Sequence, residues 1–326
     1  MSSLYSPVVL TVFNRPDKTV RCIEALLENA EASGTDLFVF SDGSKSILDH
    51  DHIAAVRKCL SKVKGFRSIH VIERDVNFGV ARNVIDGLTY VLADYDSVIH
   101  LEDDIIVSPF FLKYMNDALN CYRAMPTISC VTGYVPNINI PEAYSNETFF
   151  LRGADIWGWG TWRRAWAGFN KNSNDLYSEL VRCRSLRYRF NFNNSFNYMG
   201  MLKANIMGLN DSWAIRWYAS CFLNEQFVLY PTRSLVQNIG ADSSGAHFNY
   251  KTSVYDTRLC EGPVGVTPLN PEDNLVFVEA FAEFFKMSNL SNSSARISMS
   301  MRTPLWLHGF YRYILRGLEK FLNRSI

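Results

Sequence analysis

Val98-Ile99-His100-Leu101-Glu102-Asp103-Asp104 joins a short apolar run, strand-like in composition, to three consecutive carboxylates. Acidic residues at the carboxyl end of a buried strand lie where open α/β sheets bind ligands. Carboxylate oxygens are hard donors that suit Mg²⁺ or Mn²⁺, and such ions are held by one or two protein carboxylates together with substrate phosphates. The segment therefore reads as a divalent-metal site for a diphosphate. The plain alternative is a solvated acidic turn favouring the next helix, which Ser108-Pro109 is expected to open with Ser as N-cap and Pro at the first helical position. Two further strand ends carry reactive side chains, Asn14-Arg15 and Asp42-Gly43-Ser44. Asp42 can accept hydrogen bonds from a base N–H or a sugar hydroxyl. Arg15 can stack on a base or neutralise phosphate, and Gly43 lets a backbone approach closely. Each set alone also reads as turn punctuation. Together, in this order, they read as a nucleotide cleft.

The elements that must position these residues follow from the pattern of apolar runs and breaks. Residues 6–13, 37–40, 68–72 and 97–101 read as strands. Helical periodicity is expected over residues 18–30, 52–62 and 80–92. Strands alternating with helices predict a doubly wound, mostly parallel sheet. Its topology would bring the segments leaving the first, second and fourth strands to one edge. After about Met125 the pattern loosens. Residues 129–134 and 227–230 read as strands and 211–224 as a helix, while 176–205 mixes Arg, Asn and aromatics without clean periodicity. Trp157-Gly158-Trp159-Gly160-Thr161-Trp162 has two readings, since Trp faces stack on sugar rings but also pack under loops. Asn238 to His247 is a polar, Gly-rich loop. Residues 285–304 read as a linker and 305–323 as an amphipathic helix.

Composition narrows the class. The 326 residues are 48% hydrophobic and 20% charged with net charge +1, an ordinary globular balance that gives no reason to invoke nucleic acid. Seven cysteines lack metal-type spacing, and no run of eighteen apolar residues occurs. With no export-type N-terminal pattern, the expectation is a cytoplasmic protein, peripheral on the inner face of the cell membrane if its tail binds there.

The order "VVLTVFNRPDKTVRCIEALL", "FVFSDGS", "NFGVARNV" and "VIHLEDDIIVSPFFLKYMNDAL" resembles GT-A-fold glycosyltransferases. It is similar to bacterial family 2 sugar transferases and to the N-acetylglucosaminyltransferase I type, whose DxD motif has an acidic "EDD" version. The resemblance implies a GT-A domain and a metal-dependent, inverting transfer from a nucleotide-diphospho-sugar, a UDP-sugar, to a glycan or lipid-linked acceptor in bacterial surface polysaccharide synthesis. It implies that Asp42 and Arg15, with Asn14 beside it, hold the nucleotide, that Asn77 and Arg82 line the donor cleft, and that Glu102 and Asp103 contact ribose and donor sugar. Asp104 would ligate Mn²⁺ or Mg²⁺. The catalytic base would be Asp211, although Ser212 stands where the related pattern has a second Asp; Asp155 is the runner-up. The stretch "WGWGTWRRAW" resembles one found in related transferases, which favours Trp159 as a sugar contact with Trp162 and Trp166 packing. His247 would lie near the metal or diphosphate.

The expected division is 1–125 for nucleotide-sugar binding, 126–284 for acceptor binding and catalysis, and 285–326 for a linker plus C-terminal helix. Arg312, Arg316 and Lys320, spaced four apart, suit that helix to an anionic membrane surface or to packing on the core. A nucleotidyltransferase on a related sheet and a non-catalytic sugar-binding module are the competing readings. The first strand is not followed by a Gly-rich phosphate loop, which disfavours the former. Three carboxylates at a strand end with Asp42 upstream exceed what the latter needs.

Overall fold

A computed structural model describes residues 5–153, 155–241 and 253–300, with side chains described as far as residue 288. The chain divides into two units, Met1–Phe284 and Phe285–Ile326. The strands are β1 (Val8–Val12), β2 (Asp36–Ser41), β3 (Ser68–Glu73), β4 (Ser97–Glu102), β5 (Ile105–Val107), β6 (Ile128–Thr132), β7 (Thr148–Leu151), β8 (Trp159–Trp162), β9 (Phe227–Pro231) and β10 (Val236–Asn238). The helices are α1 (Pro16–Leu27), α2 (His50–Leu60), α3 (Gly79–Asp94), α4 (Phe111–Cys121), α5 (Arg163–Trp166), α6 (Ser173–Val181), α7 (Arg184–Phe190), α8 (Tyr198–Ile206), α9 (Trp213–Leu223) and α10 (Leu275–Ser300).

Eight strands form one sheet in the order β3-β2-β1-β4-β8-β6-β9-β7. β2, β1 and β4 run parallel, as do β6 and β9, while β8 is antiparallel to both β4 and β6. β6 and β9 therefore point the same way as β1 and β4, and the sheet is mostly parallel as expected. Every residue of β1 and β2 is buried, which is why these segments read as continuous apolar runs rather than alternating ones. Helices cover the sheet through one apolar stripe each: α1 buries Cys22, Ile23 and Leu26, and α3 buries Ala81, Val84, Leu88 and Val91.

The chain leaves β1 toward β2 and β3 on one side, and later returns to place β4 on the other. That reversal between β1 and β4 is the switch point at which doubly wound sheets open a crevice beyond their carboxyl ends. Phe13 to Arg15 leave β1 there, and Asp103-Asp104 leave β4. A small antiparallel pair, β5 with β10, brings the backbone at Ile239 onto Asp104, whose carbonyl accepts the Ile239 N–H at 2.9 Å.

Several elements depart from the sequence reading. The helix expected at Ser108-Pro109 begins at Phe111, because Ser108 is spent on a turn: its hydroxyl accepts the Phe110 N–H and donates to the Cys260 carbonyl. The aperiodic stretch after Leu176 holds α6, α7 and α8, each too short to show a long stripe, packed with α9 around Leu176, Leu180, Phe190, Leu202, Tyr218 and Phe222. Residues 285–300, expected as a linker, are helical. Their Ser and Asn content suggested a loop, but no Gly or Pro interrupts the run and Met, Lys, Ala, Leu and Arg favour a helix. No helix among the described residues is long and apolar enough to cross a membrane. The amphipathic tail at 305–323 lies outside the described residues.

Candidate active site

At the switch point, a cavity of about 440 Å³ is walled by Thr11, Arg15, Asp42, Lys45, Asn77, Glu102, Asp103, Leu209, Asn210 and Asp211 among others. Six of the residues expected from sequence therefore meet in one cleft. Arg15 is the residue before α1, which starts at Pro16, and it makes no side-chain cap for that helix. Its guanidinium reaches across the crevice instead. It bridges to Asp103 and lies 2.9 Å from Asp104 Oδ2. Burial alone would lower the Arg15 pKa, but the charges of Asp103 and Asp104 outweigh it and raise the value overall. Burial pushes the Asp103 carboxyl up while Arg15 pulls it back, and the net direction is upward. Burial, then the charges of Asp104 and Asp103, push Glu102 up as well. Burial thus disfavours the charged forms of Glu102 and Asp103, and the Arg15 guanidinium opposes it at both.

Asp42 is 4% exposed and its carboxylate is already engaged. It accepts the backbone N–H groups of Gly43 (2.8 Å), Phe78 (2.7 Å) and Gly79 (3.0 Å), and the Asn77 amide (3.2 Å). Two of those donors sit at the start of α3, where a carboxylate is favoured. Gly43 is required by contact: a Cβ there would lie 2.3 Å from the Val76 carbonyl carbon. Asp42, Gly43 and Asn77 therefore knit the end of β2 to the loop before α3, forming one wall of the cleft. Asp104 is not on the cavity lining and is 8% exposed. Gly240 closes on it so tightly that a Cβ would lie 2.1 Å from Asp104 Oδ2.

Asn14 and Arg82, expected in the donor cleft, are not on its wall. Asn14 donates to Asp49 at 2.8 Å, and Arg82 lies over the Phe78 ring at 3.7 Å from its centroid. Both buttress the loops that shape the cleft.

Trp159 is a correction. It is 0% exposed, paired within the sheet to β4 and β6, and its ring stacks on Trp213 with centroids 5.6 Å apart. Trp166 and Trp217 complete the cluster. Its indole N–H donates to His100 Nδ1 at 3.1 Å, and His100 Nε2 is 3.3 Å from Thr11 Oγ1. Because an indole only donates, Nδ1 must be the acceptor, and the proton of the neutral ring sits on Nε2 facing Thr11. Burial pushes the His100 pKa down to about 3, which keeps the ring neutral. Trp159 packs rather than contacts sugar, as Trp162 does at 2% exposure.

The two candidate bases differ sharply. Asp211 has a side chain 74% exposed and lies 3.4 Å from an Arg216 guanidinium nitrogen. It does not cap α9; Ser212 does, accepting the Ile215 N–H at 3.3 Å. Asp211 and Asn210 also wall a second, open cavity of about 550 Å³, lined by Lys171, Asn172, Ser173, Asn205 and Arg216. Asp155 lines neither cavity. It accepts from the Tyr230 hydroxyl at 2.9 Å, and burial pushes its carboxyl up to about 6 against that hydrogen bond. The sequence carries no sign of the second cavity, because its amides come from short helices and their caps with no periodic signal. His247 lies outside the described residues.

Fold and cleft together define an α/β glycosyltransferase of the GT-A type. Residues 8–193, more than half of the chain, match Glycosyl transferase family 2, and the chain belongs to that family. Among solved structures, it is similar to the mannosyltransferase PcManGT from Pyrobaculum calidifontis, determined in complex with GDP-Man and Mn²⁺, at 17% identity, with 40% of this chain and 36% of that one covered and a TM-score of 0.30. It is also similar to S. aureus TarS at 11% identity, with 73% of this chain and 37% of that one covered and a TM-score of 0.41. The chain thus spans little more than a third of either structure. No curated protein sequence matches it.

Proposed function

We propose that the chain moves a sugar from a UDP-sugar to a hydroxyl of a glycan or lipid-linked acceptor in bacterial surface polysaccharide synthesis, with inversion at the anomeric carbon. The observation that carries the reading is the position of Asp211, on the wall shared by the switch-point cavity and the amide-lined cavity. A general base for direct displacement must face both the donor carbon and the acceptor hydroxyl. Donor nucleotide would lie along Asn77, Glu102 and Asp103, with Arg15 toward the diphosphate. The acceptor would enter over Asn172, Ser173 and Asn205, whose amides and hydroxyl suit a polyhydroxylated chain. Asp211 takes the proton from the acceptor hydroxyl as its oxygen attacks the anomeric carbon. The carbon–oxygen bond to the diphosphate breaks, and the nucleoside diphosphate leaves with the electron pair.

A divalent metal fits the donor set in part. Asp103 and Asp104 offer hard oxygens in contact with one guanidinium. Among the described residues there is no group of three or more His, Cys, Asp or Glu placed to hold an ion. Mg²⁺ or Mn²⁺ would therefore be held by Asp104, with Asp103 beside it, and by substrate phosphate oxygens, a common arrangement for such ions. When bound, it would stabilise the leaving diphosphate as a Lewis acid.

The test is a panel of nucleotide sugars incubated with the protein and Mn²⁺, reading nucleoside diphosphate release and binding. Donor-selective release that depends on Asp211 is expected. Tight binding of a nucleotide sugar with no transfer or hydrolysis under any acceptor would favour a binding module instead.

A further inference from the structure

The Arg15 guanidinium occupies the acid pair as a cation would. It bridges Asp103 and stands 2.9 Å from Asp104 Oδ2, with those carboxylate side chains only 3% and 11% exposed. These are the oxygens assigned to the metal under the proposed function, on which this inference rests. Asp104 has little freedom to turn away, since Gly240 closes on its Oδ2. Apart from its bonds to these two carboxylates, Arg15 is held through its main chain. Its carbonyl accepts the Thr19 backbone N–H at 3.0 Å and the Thr19 hydroxyl at 2.9 Å, fixing the main chain. The side chain makes no helix cap and lies on the wall of the donor cavity. A buried carboxylate pair without a counter-charge is costly, so the guanidinium stabilises Asp103 and Asp104. A guanidinium and a divalent cation repel when they share the same oxygens. A diphosphate is the competing partner, because it can accept the guanidinium's paired N–H groups.

We infer that Arg15 is an internal cation that keeps Asp103 and Asp104 closed to metal until a nucleoside diphosphate draws its guanidinium away, so that metal and nucleotide are taken up together. The coupling is reciprocal: whatever factor the nucleotide adds to metal affinity, metal adds to nucleotide affinity. Without nucleotide, removal of the guanidinium should raise metal affinity.

The test uses the full chain and Mn²⁺ as probe, following free Mn²⁺ by its electron paramagnetic resonance signal, with UDP absent or saturating and the UDP–Mn²⁺ complex in solution subtracted. Wild type is expected to bind Mn²⁺ weakly alone and roughly tenfold or more tightly with UDP. Arg15→Gln is expected to bind Mn²⁺ alone about tenfold more tightly than wild type does, and a second change, Asp104→Asn, should erase that gain. A purely structural role for Arg15 would lower metal affinity on substitution, not raise it. Arg15→Lys keeps a charge but cannot bridge both carboxylates, so its affinity should fall between the two; it carries the same test if Arg15→Gln does not fold. Equal nucleotide-free affinity in wild type and the Arg15 variants, with UDP still promoting Mn²⁺ uptake, overturns the inference and leaves the metal assignment standing. No Mn²⁺ uptake by any of the proteins, with UDP present, overturns both.

Discussion

The edge of the sheet at β1, β2 and β4 and the interior behind β8 are both crowded with side chains suited to a sugar nucleotide, yet opposite forces satisfy them. At the edge, Arg15, Asp103 and Asp104 neutralise one another beside an open cavity. Behind β8, Trp159, Trp213 and Trp217 are 2% exposed or less and satisfy one another by packing. The two regions are a short step apart along the same strand: His100, which holds the Trp159 indole, is two residues from Glu102 on the cleft wall. Residue chemistry alone does not separate site from core. Distance from the carboxyl end of a parallel strand does.

The largest effect that would sharpen this contrast is expected at Asp211. Asp211→Asn should lower kcat about a hundred- to ten-thousand-fold, the usual contribution of a general base, while leaving the donor dissociation constant unchanged. Steady-state kinetics beside calorimetric donor binding reads both. If Asp155→Asn shows that loss and Asp211→Asn does not, the base lies in the tyrosine-lined interior and the contrast breaks.

Trp159 tests the other side. Trp159→Ala should destabilise the fold by about 3–5 kcal/mol, as large-to-small changes of buried aromatics do, seen as a lower urea midpoint. Trp159→Phe should be much milder and leave the acceptor KM in place. A stable Trp159→Ala protein with a raised acceptor KM would return this residue to the site.

Asp42→Asn keeps the shape of the side chain but replaces one accepting oxygen by a donor facing backbone N–H groups. Leaving those donors unsatisfied costs about 1–3 kcal/mol, expressed as lower stability and weaker UDP binding together. Loss of UDP affinity at full stability would make Asp42 a direct nucleotide contact rather than the knot that holds the Asn77 loop.

The smallest expected effect is a change in pH slope. Asp155 titrates near 6 in the fold against an ordinary value of 3.8. A raised carboxyl pKa favours the protonated folded form, so this contribution to stability is complete below about 3.8 and is lost as pH rises through about 6. Urea midpoints at pH 4 and pH 7 should differ less in Asp155→Asn than in wild type. An unchanged difference would contradict the burial of that carboxyl.

What was legible in the sequence follows the same division. β1, β2 and β4 are parallel strands largely buried on both faces, and their apolar runs end at polar breaks that the chain order alone locates, so Arg15, Asp42, Glu102 and Asp103 could be assembled without coordinates, while Asn77 came through resemblance and β3, the outer strand, is partly exposed. Asp211 was reached through resemblance, and its place between two cavities depends on the turn after α8, which has no local signature. Trp159 was misplaced because its burial comes from pairing with β4 and β6, partners 59 residues earlier at His100 and 27 earlier at Thr132. The fate of residues 285–300 turned on the weak helical preference of a Ser- and Asn-rich run that nothing interrupts.

The most direct measurement is a calorimetric titration of UDP into wild type and Asp104→Asn, each with Mn²⁺ and with EDTA. The strand-edge cleft predicts that Mn²⁺ tightens UDP binding to wild type by roughly tenfold or more, about 1.4 kcal/mol per factor of ten, and that Asp104→Asn loses this gain while melting at the same temperature. An Asp104→Asn protein that keeps the full Mn²⁺-dependent gain would contradict the assignment of the acid triplet to the donor diphosphate.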